Sequence, residues 1–172
     1  MTRKIMLLIL GGWLAGTVLV GAMAAENFWI IDRLLQSPSP SLQHDVAQLP
    51  PGEARVMLRH LASELNRFWF EVWGWIELAL AVALLAMAFR ALPKPSVLIS
   101  LGIMLAIAVA MAFYLTPQII AVGRPLDFVP REPTPPSLAE FGRLHAAYSV
   151  WDLGKLVIGI WMAVLFVRAR PG

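Results

Sequence analysis

The sequence predicts an all-α integral membrane four-helix bundle whose second helix starts as an amphipathic extension outside the membrane. Three observations predict it. Four proline-free apolar stretches, Ile5 to Ala25, Trp69 to Phe89, Val97 to Thr116 and Ala146 to Val167, each reach the roughly 20 residues needed to cross hydrocarbon. The chain is 59% hydrophobic and 15% charged, where a soluble domain carries about 25% charged residues. The runs are rich in Leu, Ala, Val and Met without strand alternation, and a peptide group unpaired in hydrocarbon costs several kcal/mol, so each crossing must be helical. A single domain over residues 1–172 follows, with crossings at about 5–25, 69–89, 97–116 and 146–167. Extracytoplasmic loops are expected over 26–68 and 117–145.

The first stretch begins after Thr2-Arg3-Lys4 and passes Ala22-Met23-Ala24, a pattern that imitates a secretory signal with a small-residue cleavage site. Its apolar run is longer than such signals use, so it reads as a retained crossing. In the following loop, Ser37-Pro38-Ser39-Pro40 and Pro50-Pro51-Gly52 stop a helix. From Glu53 to Leu92 there is no proline, so one helix is expected to rise along the interface and continue into the second crossing. Its early part sets His60, Glu64, Arg67 and Glu71 on one face, a polar ladder of alternating partners that reads equally well as solvated salt bridges. Pro93 and Pro95 separate the second and third crossings, and Pro117 marks the end of the third. Pro135-Pro136 then Ser137-Leu138-Ala139-Glu140 predict a capping box opening a last helix that runs to Arg168.

Charge is sorted by side. Arg3, Lys4, Arg90, Lys94, Arg168 and Arg170 fall on one side in short segments lacking Asp and Glu, which assigns that side, and both termini, to the cytoplasm of a plasma (inner) membrane protein. The outer side also holds arginines, among them Arg33, Arg55, Arg59, Arg67, Arg124, Arg131 and Arg143, so density rather than sign carries the assignment. The net charge of +3 is accounted for by anchors beside anionic lipid and calls for no nucleic acid. The lipid bilayer is the expected partner, joined by a membrane protein or a second copy of the chain. The absence of cysteine removes thiolate ligands, cysteine nucleophiles and disulfides.

Charges within crossings are expensive and usually pair or serve a function. Glu71 and Glu77 in the second crossing are expected to meet His145, Tyr148, Ser149, Asp152 and Lys155 of the fourth in a polar chamber in the outer half of the bundle. Antiparallel packing pairs Glu77 with Lys155, and Glu71 with His145, Ser149 and Asp152. Glu26, Asn27, Arg67, Tyr114 and Gln118 support it from the other elements. The bland alternative is that these polar pairs only fix helix register. His145 is a weak candidate metal or haem ligand; no His-x-x-x-His or Glu-x-x-His pair sharpens it, and no cofactor is expected. Phe28, Trp29, Phe68, Trp69, Phe70, Trp73, Tyr148 and Trp151 read as an interfacial aromatic belt. Gly12 and Gly16, like Gly102, Ala106 and Ala110, are small-residue steps that permit close helix approach.

Phe141, Leu144, His145 and Ser149, preceded by Arg124-Pro125-Leu126-Asp127, resemble the bacterial branch of an uncharacterised four-helix family related to transmembrane-protein-two-hundred-five-like proteins, a family associated in turn with copper-resistance-D-like membrane proteins, some of which handle copper or haem. The resemblance implies four crossings and points to His145 and Asp152, but it supplies no catalytic residue. The ladder around Glu64-Leu65-Asn66-Arg67 has no counterpart in it. The leading functional expectation is a non-enzymatic accessory or structural membrane component. The alternative is a small transporter or binding protein for a proton, metal ion or haem. An enzyme comes last, because Ser149, Asp152 and His145 lie along one helix rather than in a triad, and there is no phosphate loop or zinc motif.

Overall fold

The computed structural model describes residues 2–36, 39–91, 94–129 and 133–168, and among them there are helices and no strand. In chain order these are α1 (Thr2–Leu35), a short α2 (Pro40–Ala47), α3 (Glu53–Ala91), α4 (Pro95–Ala110), α5 (Thr116–Gly123) and α6 (Pro136–Arg168). A π-helical turn, Met111–Leu115, joins α4 to α5, and a 3-10 turn, Arg124–Phe128, follows α5. Four continuous rods, Thr2–Leu35, Glu53–Ala91, Pro95–Phe128 and Pro136–Arg168, are long and apolar enough to cross a membrane. Ser37, Pro38, Pro93, Arg131 and Arg170, used in the sequence reading, lie outside the described residues.

Buried positions recur at steps of three and four along each rod: Met6, Leu10, Trp13 and Thr17 on α1; Ala81, Leu84 and Ala88 on α3; Val97, Leu101, Met104 and Ala108 on α4; Lys155, Gly159, Met162 and Phe166 on α6. That spacing turns one stripe of each helix inward. α1 packs on α3 and α6, and α4 packs on the same two, which closes a ring of four. One end holds an apolar core of Met6, Leu10, Leu84, Leu101, Met104 and Phe166. Among the described residues, the buried polar and charged side chains, Thr17, Asn66, Glu77, Thr116 and Lys155, lie in the middle and toward the opposite end.

Several expected boundaries move. The loop expected from residue 26 begins ten helical residues late, because Glu26 to Leu35 continue α1. The third rod does not stop at Pro117. Proline lacks an N–H and its ring crowds the carbonyl four residues back; the π turn at Met111–Leu115, wider than an α turn, accommodates it, and helix resumes over Thr116–Gly123. The expected outer loop at 117–128 is therefore largely helical. α6 starts at Pro136, with the Leu138 N–H donating to the Pro135 carbonyl at 3.0 Å. Ser137 thus lies inside the first turn instead of capping it, and the helix opens on a proline whose missing N–H costs nothing there. Before α3, Gly52 adopts φ +86°, a left-handed conformation that disfavours any side chain, and the turn lets the Glu53 N–H reach the Pro50 carbonyl at 3.0 Å.

At about 1.5 Å per residue, the 39 residues of α3 run far beyond the ~30 Å of a bilayer core. Its first part, with the end of α1, α5, the 3-10 turn and the start of α6, builds a second, polar layer at one end of the bundle.

Candidate functional site

The expected single chamber divides into two sites. The deeper one centres on Glu77 and Lys155, each 1% exposed. Lys155 Nζ donates to both Glu77 carboxylate oxygens at 2.6 Å. Trp13 Nε1 donates to Glu77 Oε1 at 2.8 Å and Thr17 Oγ1 to the same oxygen at 3.2 Å. Three helices, α1, α3 and α6, therefore converge on one carboxylate. Asp152, one turn before Lys155, places Oδ1 2.9 Å from Nζ as an ion pair, but misaligned, so that this oxygen has no hydrogen-bond donor among the described residues. Trp73 Nε1, one turn before Glu77, also lacks a partner there, while its ring lies against Gly16 of α1 in the space a Cβ would need.

This pairing of Glu77 with Lys155 is the one the spacing anticipates. Both lie just to the outer side of the middle of the apolar stretches 69–89 and 146–167, level with the Trp13–Thr17 turn at the middle of 5–25. Glu71 does not join. At about 100° per residue it points roughly 120° away from Glu77 around α3, and it is exposed beside Trp75, Phe113 and Pro117. Ser149 is exposed as well and donates Oγ to the His145 carbonyl of its own helix at 3.0 Å, the usual way a helical serine satisfies itself. Tyr114 and Gln118 point outward. Glu26 pairs with Arg33 on the surface at 3.3 Å. Asn27 does bridge two rods, donating Nδ2 to Asn66 Oδ1 at 2.6 Å, while Asn66 Nδ2 donates to the Ala24 carbonyl at 3.0 Å.

The outer site is built on the ladder of α3. Arg67 donates Nη1 to Asp127 Oδ2 at 2.8 Å and Nη2 to Asp127 Oδ1 at 3.0 Å, and Nη1 also reaches Glu64 at 2.6 Å. His60 Nδ1 lies 2.9 Å from Asp127 Oδ2, and Arg124 donates to both Glu64 oxygens at 3.2 and 3.3 Å. Burial opposes ionisation of Asp127, but the Arg67 hydrogen bonds and charge, with His60, outweigh it and hold the carboxyl below its ordinary value. For Arg67, burial again opposes the charge, and Asp127 and Glu64 more than offset it, so the guanidinium is pushed up. Glu64 is held low first by the Arg124 hydrogen bond. Asp127, the hub of this cluster, was visible in sequence only as part of Arg124-Pro125-Leu126-Asp127; its pairing with a helix 60 positions away depends on the helix continuing past Pro117.

His60, Glu64 and Asp127 offer ligand atoms within 4.8 Å of one another, a spacing that could hold a metal ion. The carboxylate oxygens are already taken by Arg67 and Arg124, so two guanidinium groups stand where a cation would bind. The donor set fits an ion-pair clamp better than a metal. His145 belongs to no such group among the described residues; its ring stacks on Phe141 at 5.8 Å.

Between these sites lies a cavity of about 230 Å³. Its deep end is Phe70, Thr116 and Tyr148, with the Phe70 and Tyr148 rings edge to face at 5.2 Å. Its walls are Ile119, Ile120, Leu126 and Phe141, and its outer end carries Arg59, Ser63, Arg67 and Asp127, with His145 between. Tyr148 thus lines the cavity rather than the buried ion pair. Comparison with protein-family models, with curated proteins and with solved structures finds no match to this chain.

Proposed function

We propose that this is a multi-pass membrane protein of non-enzymatic, accessory or structural character, with both termini on the cytoplasmic side. The membrane reading is supported by the outside of the bundle. Leu8, Val18, Val82, Ile99, Val157 and Trp161 are exposed along the apolar stretches of the rods, a girdle far larger than a water-soluble monomer presents. Arg3, Lys4, Arg90, Lys94 and Arg168 gather at one end of it.

The observation that carries the accessory reading is the saturation of Glu77. A carboxylate receiving an ammonium from one neighbouring helix and an indole N–H and a hydroxyl from another is satisfied as it stands, as expected of a group that holds register. Ser149 and His145 are not disposed as nucleophile and base, since the hydroxyl is bound to a backbone carbonyl.

The chain has no native cysteine, so single cysteines test the topology directly. Ser41→Cys should react with an impermeant maleimide added outside intact cells, and Lys94→Cys only after permeabilisation. Mild-detergent extraction then tests the role: co-purification within a larger complex supports an accessory component, and a chain that always migrates alone counts against it. The second reading, binding of a proton, metal ion or haem, rests on Asp152, whose Oδ1 beside Lys155 is unsatisfied. Retained metal or a haem absorption band that disappears in Asp152→Asn or His145→Ala would favour it.

A further inference from the structure

From the cavity between α3, α5 and α6 we infer a binding site for an anionic single-chain amphiphile, a molecule with one apolar segment ending in a carboxylate or phosphate. This goes beyond the accessory role and needs no chemistry from the protein.

Three features define the ligand. The first is shape. α3 and α6 run inward and α5 outward, so equivalent depths line up: Phe70, Thr116 and Tyr148 at the floor, Ile119, Ile120 and His145 above them, and Arg59, Asp127 and Phe141 at the outer end. From Arg59 to Phe70 the cavity follows α3 for roughly 16 Å at 1.5 Å per residue. Its volume of about 230 Å³ exceeds the ~150 Å³ that takes up a benzene ring and falls short of the ~300 Å³ of a drug-sized pocket. An elongated chain fits it better than a bulky ring system.

The second is polarity along that length. The floor and walls are aromatic and aliphatic apart from Thr116 and Asn66, and the charges sit at one end, which orients an amphiphile with its tail toward the bundle middle. The third is charge. Arg67 is committed to Asp127 and Glu64. Arg59 lines the cavity, half-buried, with no ion pair or hydrogen bond to any described residue. Asp127 is neutralised by Arg67, so the outer end carries one positive charge in excess. The His145 ring, stacked on Phe141, has both nitrogens free of described partners and adds a donor beneath it.

The test uses the full chain in phosphatidylcholine nanodiscs and measures retained radiolabelled laurate and dodecyl phosphate by equilibrium dialysis, with dodecanol as the uncharged control and the Ile120→Trp protein as the partition blank. Saturable binding of the two acids in excess of the blank, with dodecanol about tenfold weaker, is the expected result, one charge-assisted hydrogen bond being worth about that factor. Arg59→Gln should bring the acids down to the dodecanol level while leaving the thermal midpoint unchanged, since Arg59 has no described partner to lose. Acids no tighter than dodecanol, no excess over the blank, or an unchanged preference in Arg59→Gln would each overturn the assignment. A parallel arm separates the sources: lysophosphatidic acid retained from the bilayer assigns a lipid ligand, and saturable octanoate binding from water assigns a soluble one.

Discussion

Arg67 grips Asp127 with two parallel hydrogen bonds, Nη1 to Oδ2 at 2.8 Å and Nη2 to Oδ1 at 3.0 Å, and so ties the start of α3 to the turn after α5. The fork geometry is the strong form of an ion pair. Both side chains are largely buried, 11% and 7% exposed, which limits screening by solvent.

Because the Asp127 carboxyl is held below its ordinary value, its contribution is present above the unfolded pKa of about 3.9 and is lost as pH falls through the folded value. Amide exchange over Asp127 and the first turns of α3 should therefore accelerate only in acid, below about pH 4. Asp127→Asn should show the faster exchange already at neutral pH and lose the acid step, because Arg67 is left without its carboxylate. Its cost should be about 2–4 kcal/mol in thermal unfolding, the range for orphaning a partly buried charge.

The small-residue step on α1 gives a second outcome. A Cβ at Gly16 would enter the Trp73 ring, whereas nothing lies within 4 Å of one at Gly12. Gly16→Ala should lower stability by about 1–3 kcal/mol, the usual cost of overpacking, and Gly12→Ala should be neutral or slightly stabilising through helix propensity. Melting midpoints of the two purified variants in the same detergent make the comparison.

Glu71 and Ser149 separate what the periodicity places from what it does not. Both are exposed, one beside Trp75 and Phe113 and the other bound to its own backbone. Glu71→Gln and Ser149→Ala should each change stability by no more than about 0.5 kcal/mol, as surface substitutions do, measured by the same thermal assay. A large loss for either would restore it to the interior network.

The rods themselves are legible because long apolar runs and their three-and-four spacing are properties of single segments. The Glu77–Lys155 pair is legible for a related reason: two opposite charges stranded in apolar runs at matching depth have few partners other than each other. The faces of Glu71 and Ser149 are not legible, since a residue's direction depends on the angle at which its helix meets its neighbours. The Asp127 cluster is hidden by Pro117. A proline ordinarily ends a helix, and only the π turn at Met111–Leu115 carries the third rod on to bring Asp127 beside Arg67. The role of Trp13 as a donor to Glu77 left no signal beyond its place on the buried stripe of α1.

That Glu77 and Lys155 lock α3 to α6 is tested most directly by a double-mutant cycle of thermal unfolding in detergent, using Glu77→Leu, Lys155→Met and the two together. Run in an Asp152→Asn background, which removes the second carboxylate beside Lys155, each single change strands a buried charge and should cost about 3–5 kcal/mol, while the double variant, which leaves neither, should recover most of that loss. Additive losses, with no coupling between the two positions, would contradict an interior ion pair as the element that sets the register of this bundle.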